Sequence, residues 1–218
     1  MDWAVIPRNL NFLLGGLVLT FELAAFSLAG GFLLGMLMGF GRLSSRKWIY
    51  YPATLYVNFF RSLPLILVIF WFYFMVPFII GRPLGDFLSA IVAFIAFEAA
   101  YFAEIFRAGI QSIPQGQVMA GYSTGLGYYA TMRNIVLPQA LRNMVPPIVT
   151  QCVIIFQDTS LAYVIGLKEF LRRTSLVDAR ELRSMELYLF AGFVYLVFCS
   201  IGTIASRRLE KRQVQIRR

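Results

Sequence analysis

About five stretches of roughly 20 or more apolar residues recur along this chain, near 10–41, 50–80, 87–113, 140–166 and 187–206, each long enough to cross a bilayer as a helix. Inside lipid the backbone must satisfy its own hydrogen bonds, so such stretches fold as helices. Composition agrees: 59% of the residues are hydrophobic, against about 45–50% for a soluble domain. The expected fold is an all-α polytopic membrane protein. No internal repeat or linker divides it, so residues 1–218 read as one transmembrane domain. The N-terminus carries Asp2 and no basic segment, and its first apolar run exceeds a signal peptide's, so it is expected to be retained.

One interruption is unlike the others. Between the third and fourth windows, residues 114–138 are polar and punctuated by Pro114, Gly116, Gly125, Gly127 and Pro138. Pro114 and Pro138 end helices and the glycines allow tight turns, which leaves room for two short helices. Small residues at Ala120, Gly121 and Ser123 suit close approach by another backbone. The segment is therefore either a docking loop or an ordinary connection.

Charge sets the orientation. With the N-terminus outside, Arg42, Arg46, Lys47, Arg107, Arg133, Arg142, Arg207, Arg208, Lys211, Arg212, Arg217 and Arg218 fall inside. Arg8, Arg82, Lys168, Arg172, Arg173, Arg180 and Arg183 fall outside. The excess of inner cations fits the positive-inside rule and puts the 114–138 loop in the cytosol. It also accounts for the net charge of +9 without nucleic acid, for which there is no motif. The basic C-terminal tail is expected to touch anionic lipid.

Several chemistries are excluded. There is no histidine, hence neither the usual general base nor the usual metal ligand, and no metal site is expected. Cys152 and Cys199 stand singly in apolar runs and read as packing residues. No glycine-rich phosphate loop ending in Gly-Lys-Ser/Thr is present, so any ATP chemistry belongs to another chain.

Polar residues inside the spans are costly and therefore informative. In the first, Gly31, Gly35 and Gly39 form a close-packing stripe, and Glu22 lies midway. In the second, Asn58, Arg61 and Ser62 share a helical face beside Pro64, whose missing amide bends or breaks the helix. A plain kink and a built site both fit. In the third, Glu104 and Arg107 are spaced as an ion pair, and Glu98 lies roughly 15 Å from the outer end, near midplane. Glu98 is either paired, with Arg61 the candidate, or in contact with substrate. The fourth span, expected to begin after Pro146-Pro147, puts Gln151 and Asp158 on one face, followed by Thr159 and Ser160. Spans two, three and four thus carry polar groups at similar depth and are expected to line one cavity. The outer segment 168–184 reads as a solvated loop or as a seat for a soluble protein.

Ala120, Gly125 and Ile135-x-Leu137-Pro138 have the spacing of the "EAA" loop and resemble the permease subunits of bacterial ABC importers. Met119 stands where that pattern usually has Glu, and Gly121 where it has the second Ala. A literal Glu98-Ala99-Ala100 lies in an apolar run with no glycine in register. The runs Val57 to Leu65, Glu98 to Gly109, Phe156 to Leu161 and Met185 to Gly192 are similar to polar amino-acid permeases, most of all the glutamate/aspartate importers.

The resemblance implies a type I ABC importer permease fold with a cytosolic coupling loop. Met119, Ala120, Gly121, Gly125, Ile135, Leu137 and Pro138 would contact the ATPase. It implies a second, homologous or identical permease, two ATP-binding subunits carrying ATP and magnesium, and a periplasmic or lipid-anchored amino-acid binding protein. The setting is the bacterial inner membrane, and this chain itself binds no cofactor and is no enzyme. The Asp158, Thr159, Ser160 motif would lie at the amino-acid site. Asp158 suits an ammonium group; Asn58, Arg61 and Ser62 suit carboxylates; Gln151 could reach the substrate side chain, with Glu98 beside it. Glutamine or basic amino acids are alternative substrates. A secondary transporter without an ATPase, and less readily an intramembrane enzyme, are the rival classes.

Overall fold

The computed structural model describes residues 2–216, with side chains as far as Glu210. The side chains of Lys211, Arg212, Arg217 and Arg218, counted above for orientation, lie outside that description. Helices α1 (Val5–Gly41), α2 (Lys47–Arg61), α3 (Leu65–Phe70) and α4 (Val76–Ile80) come first, a π turn at Trp71–Met75 joining the last two. They are followed by α5 (Asp86–Gln111), α6 (Gln115–Ser123), α7 (Tyr128–Thr131), α8 (Leu137–Asp158), α9 (Phe170–Glu181) and α10 (Ser184–Ile216). Among the described residues there is no strand. Four stretches, Val5–Gly41, Asp86–Gln111, Tyr128–Ile165 and Ser184–Glu210, are long and apolar enough to cross a membrane. The fifth is broken, with Lys47–Arg61 and Leu65–Ile80 meeting at 106°. The chain is a multi-pass α-helical membrane protein.

α1 and α5 form the spine, and the glycine stripe makes it. A methyl added at Gly35 would lie 2.5 Å from Phe102 Cβ and 2.8 Å from the Ala99 carbonyl. At Gly31 and Gly39 it would approach Glu98 Cβ and Phe106 Cβ, both to 2.9 Å. Backbone thus lies almost on backbone, as the spacing predicts. Higher on α1, Gly15 and Gly16 seat α9: the Phe170 Cα would be 3.0 Å from a Gly16 methyl, and Arg173 fills the space over both. Arg173 Nη1 donates to the Phe12 carbonyl at 2.8 Å, and its guanidinium lies 4.9 Å from the Phe12 ring centroid.

Two expectations are corrected by this architecture. The 168–184 segment is mostly the helix α9, with Phe170, Thr174 and Val177 buried against α1 and α10, because Glu169 supplies a strong N-cap. Its carboxylate accepts from the Leu171 and Arg172 amides at 2.8 and 2.6 Å. The fourth span does not begin after Pro146-Pro147 but includes both, and α8 starts at Leu137. Helical turns run unbroken from Tyr128, so Pro138 lies in the first turn of α8 and does not end the polar segment. A π turn at Met132–Val136 precedes it, and Gln139 Nε2 bonds the Ile135 carbonyl at 2.9 Å. Farther along, the Pro146 carbonyl accepts from the Thr150 and Ser206 hydroxyls.

Candidate functional site

The two helix breaks face each other. Pro64 takes an extended conformation as the N-cap of α3, and the Leu63 amide bonds the Phe60 carbonyl that Pro64 leaves free. Across from it α8 tightens at Thr159 into a 3-10 segment, Thr159–Ile165, that ends on the left-handed Gly166. Leu65, Val68 and Ile69 of α3 pack in one core with Ala162, Ile165 and Leu167, closed from the other side by Phe94 and Phe97 of α5. This packing brings the polar ends of α2 and α8 to the same flank of α5.

On that flank the side chains divide into spent and unspent. Thr159 donates to the Phe156 carbonyl at 2.7 Å, Ser160 to Gln157 at 2.8 Å and Ser62 to Asn58 at 2.8 Å. These hydroxyls finish helix ends and keep only acceptor capacity for a ligand. Glu98 is fully buried, takes a 2.7 Å hydrogen bond from Gln151 Nε2 on one oxygen and has no partner on the other. The expected pairing of Glu98 with Arg61 does not form. Arg61, at the last turn of α2, lies beside the next turns of α5, 5.8 Å from the Tyr101 ring centroid and 3.5 Å from Glu104. Gln151 likewise is buried and turned to Glu98, so it does not present its amide to an open space. Asp158 is half-buried and makes no hydrogen bond or ion pair among the described residues.

The result is a polar ladder along α5 rather than an enclosed cavity. Asn58, Arg61 and Ser62 are exposed. An apolar cleft of about 340 Å³ between α1, α8 and α10, lined by Phe21, Leu28, Cys152, Phe156, Phe198 and Cys199, contains none of these residues. Glu22 faces outward from α1 and takes no part in the site. Two contributors escape the sequence reading as site residues. Tyr101 is an aromatic on an apolar helix, and Glu104 is joined by Arg42 from the end of α1 as well as by Arg107. The i, i+3 steps from Glu98 through Tyr101 to Glu104 and Arg107 were the available signal.

The 114–138 segment holds two arms. α6 and the helical turns after Tyr128 pack on each other, since a Gly121 methyl would come 2.8 Å from Ile135 Cδ1 and 3.0 Å from Thr131 Cγ2. Gly121 therefore closes the loop on itself and is not open to a partner, contrary to expectation. Gly125 turns the chain at φ 82°. Met119, Ala120, Tyr122, Tyr128 and Tyr129 are left exposed, whereas Ile135 and Leu137 are half-buried and Pro138 lies at the surface.

Fold and site together define a membrane-spanning permease wall with broken helices at its polar face. Residues 31–215 match the family described as "binding-protein-dependent transport system inner membrane component", and the chain belongs to that family. It is 43% identical, over 97% of both chains, to the glutamate/aspartate import permease protein GltK of Escherichia coli O6:H1. It is 37% identical to the probable glutamine ABC transporter permease protein GlnP of Bacillus subtilis, with 96% of this chain and 97% of that one covered. Among solved structures, an amino acid ABC transporter crystallised with histidines superposes at a TM-score of 0.92, with 25% identity over 97% of this chain and 99% of that one. An inward-facing MetNI methionine transporter shares the fold at a TM-score of 0.74 and 19% identity, over 93% of this chain and 98% of that one. The type I ABC importer permease fold is thereby established.

Proposed function

We propose that this chain forms half of the translocation path of an ATP-driven importer of polar amino acids, with glutamate and aspartate as substrates. The observation that carries the substrate is the 43% identity, end to end, with a glutamate/aspartate import permease. Arg61 holds a substrate carboxylate by paired N–H donors, Asp158 holds the ammonium, and Asn58 and the acceptor oxygens of Ser62, Thr159 and Ser160 complete the polar lining. Glu98 and Gln151 act from behind, as a bonded pair that shapes the floor. This chain builds one wall, and a second permease, homologous or identical, supplies the other.

The remaining parts follow from the same reading. The 114–138 segment is the coupling loop, with Met119 and Ala120 on its exposed side meeting the ATPase and Gly121, Gly125, Ile135, Leu137 and Pro138 holding its shape. Two ATP-binding subunits carry ATP and magnesium, and a periplasmic or lipid-anchored binding protein delivers the amino acid. The N-terminus lies outside and the C-terminus in the cytosol of a bacterial inner membrane. Closure of the ATPases moves the loops, and the spans rock about the site. A second reading, glutamine or a basic amino acid, is favoured by one observation: Asp158 and Glu98 set two carboxylates among the proposed site residues against the single Arg61.

Equilibrium binding of radiolabelled glutamate, aspartate, glutamine and arginine to the detergent-purified complex separates these. Acidic ligands should bind wild type, and Asp158→Asn and Arg61→Ala should each lose about tenfold or more in affinity. Preference for arginine or glutamine would move the substrate to the second reading. Unchanged binding in both variants would move the site off this chain.

A further inference from the structure

Glu104 is unusual in having three arginines around it. Arg42 and Arg107 each make a direct charge-assisted hydrogen bond to it, and Arg107 Nε adds a second at 3.1 Å. Arg61 is the outlying member, with Nη1 3.5 Å from Oε2. Its side chain is also the most open of the three, 39% exposed against 12% for Arg42 and 26% for Arg107. The same guanidinium lies over Tyr101, one turn up α5. Arg61 thus stands between two destinations, Glu104 on the inner side and the polar wall on the other.

We propose that Glu104 is a positioning residue that holds Arg61 in reserve, and that a substrate carboxylate binds by taking Arg61 from it. The inference rests on the reading of Arg61 as the carboxylate contact. Chemistry favours the exchange. Arg61 gives up one carboxylate and gains another, while Glu104 keeps two shorter guanidinium partners and is never left unpaired. A carboxylate with a single arginine could not release it so easily. The consequences reach inward: Arg107 also donates to Gln111 at the end of α5, and the next residue, Ser112, accepts from Asn143 of α8 at 2.8 Å. Glu104 therefore joins the substrate-side arginine to the turn from which the 114–138 loop departs, with Arg42 tying in the end of α1.

The test is a double-mutant cycle on the glutamate Kd of the purified permease and ATPase complex, without binding protein. Glu104→Gln removes the competitor for Arg61, so Kd should fall about three- to fivefold, the worth of a part-exposed ion pair. Arg61→Ala should raise Kd, and in its presence Glu104→Gln should change nothing further. Should the glutamine variant fail to assemble, Glu104→Asp serves: its charge still holds the i+3 neighbour Arg107, its shorter reach drops Arg61, and Kd should fall in the same way. A Kd that is unchanged or raised by the Glu104 substitutions overturns the proposal. So does an equal factor with and without Arg61, which is what a through-space charge effect or a merely structural role would give. If Arg61→Ala alone leaves Kd unmoved, the failure lies instead with the reading of Arg61 as a carboxylate contact.

Discussion

The α1 seam and the polar flank meet on α5 and use opposite means. Along the seam, Gly31, Gly35 and Gly39 bring α1 onto Glu98, Phe102 and Phe106 with no room for a methyl group, and Gly15 and Gly16 do the same for α9. The fit there is steric, although Ser27 Oγ, buried on the same helix face, has no partner among the described residues. On the flank, among the described residues, Asp158 makes no hydrogen bond or ion pair, one Glu98 oxygen is unbonded, and Arg61 is loosely held at 3.5 Å. The proposed division is that stability resides where shape is complete and binding where polar capacity is unfinished, since an unsatisfied group in the interior costs free energy until a ligand satisfies it.

The largest effect should come from breaking the seam. Gly35→Val would drive its side chain into Phe102 Cβ and the Ala99 carbonyl, neither of which is a flexible tip. A cost of about 3 kcal/mol or more is expected, with loss of the monodisperse peak on size exclusion in detergent. Gly192, on the exposed side of α10, has nothing within 4 Å of an added methyl, so Gly192→Ala should leave thermal stability within about 0.5 kcal/mol of wild type. Equal losses at the two positions would show that the seam is not where the fold is held.

Much of this contrast is legible in the amino-acid sequence. Glycine spacing announces the seam because a four-residue period can serve only one helix face. Pro64 announces the bend because a missing amide cannot be hidden in lipid. Other features depend on what the bundle brings together. The reach of Arg61 to Glu104 rather than Glu98 is set by where the last turn of α2 docks along α5, a matter of register between helices some 40 residues apart. The capping of α9 by Glu169 was hidden by the charges around it, which read as solvent-loving while Phe170, Thr174 and Val177 carry a buried face. Pro146 and Pro147 read as a helix start and lie inside α8, which runs from Leu137 through both to Asp158.

A second test sharpens the comparison by asking about a carboxylate on the seam side. Glu169 is buried, bonds two α9 amides, and lies beside the buried Tyr195 hydroxyl. Burial pushes its carboxyl up to about 7 from the ordinary 4.5, against the opposing pull of the Leu171 and Arg172 amides. The folded chain therefore holds this proton more tightly than the unfolded one, so the associated stability is full below about 4.5 and is lost as pH rises through about 7. The displacement corresponds to about 3 kcal/mol at most. Thermal midpoints of the detergent-purified protein should fall between pH 5 and 8, and Glu169→Gln should flatten that slope. A slope unchanged by the substitution would mean that the group titrates as it does in the unfolded chain.

The smallest effect on stability is predicted for Asp158, the residue proposed to hold the substrate ammonium. Asp158 sits at the α8 break with no partner among the described residues, and Thr159 and Ser160 already finish the helix end by their own bonds to Phe156 and Gln157. Asp158→Asn keeps the shape and removes a charge that the fold does not use. Its thermal stability should stay within about 0.5 kcal/mol of wild type, or rise slightly as the cost of a half-buried carboxylate disappears. The same variant is expected to lose substrate binding, so the two measurements made on one preparation separate the regions most directly. A loss of stability above about 1 kcal/mol would reverse the assignment: the carboxylate would then be holding the break together, and the flank would be a second seam rather than a site.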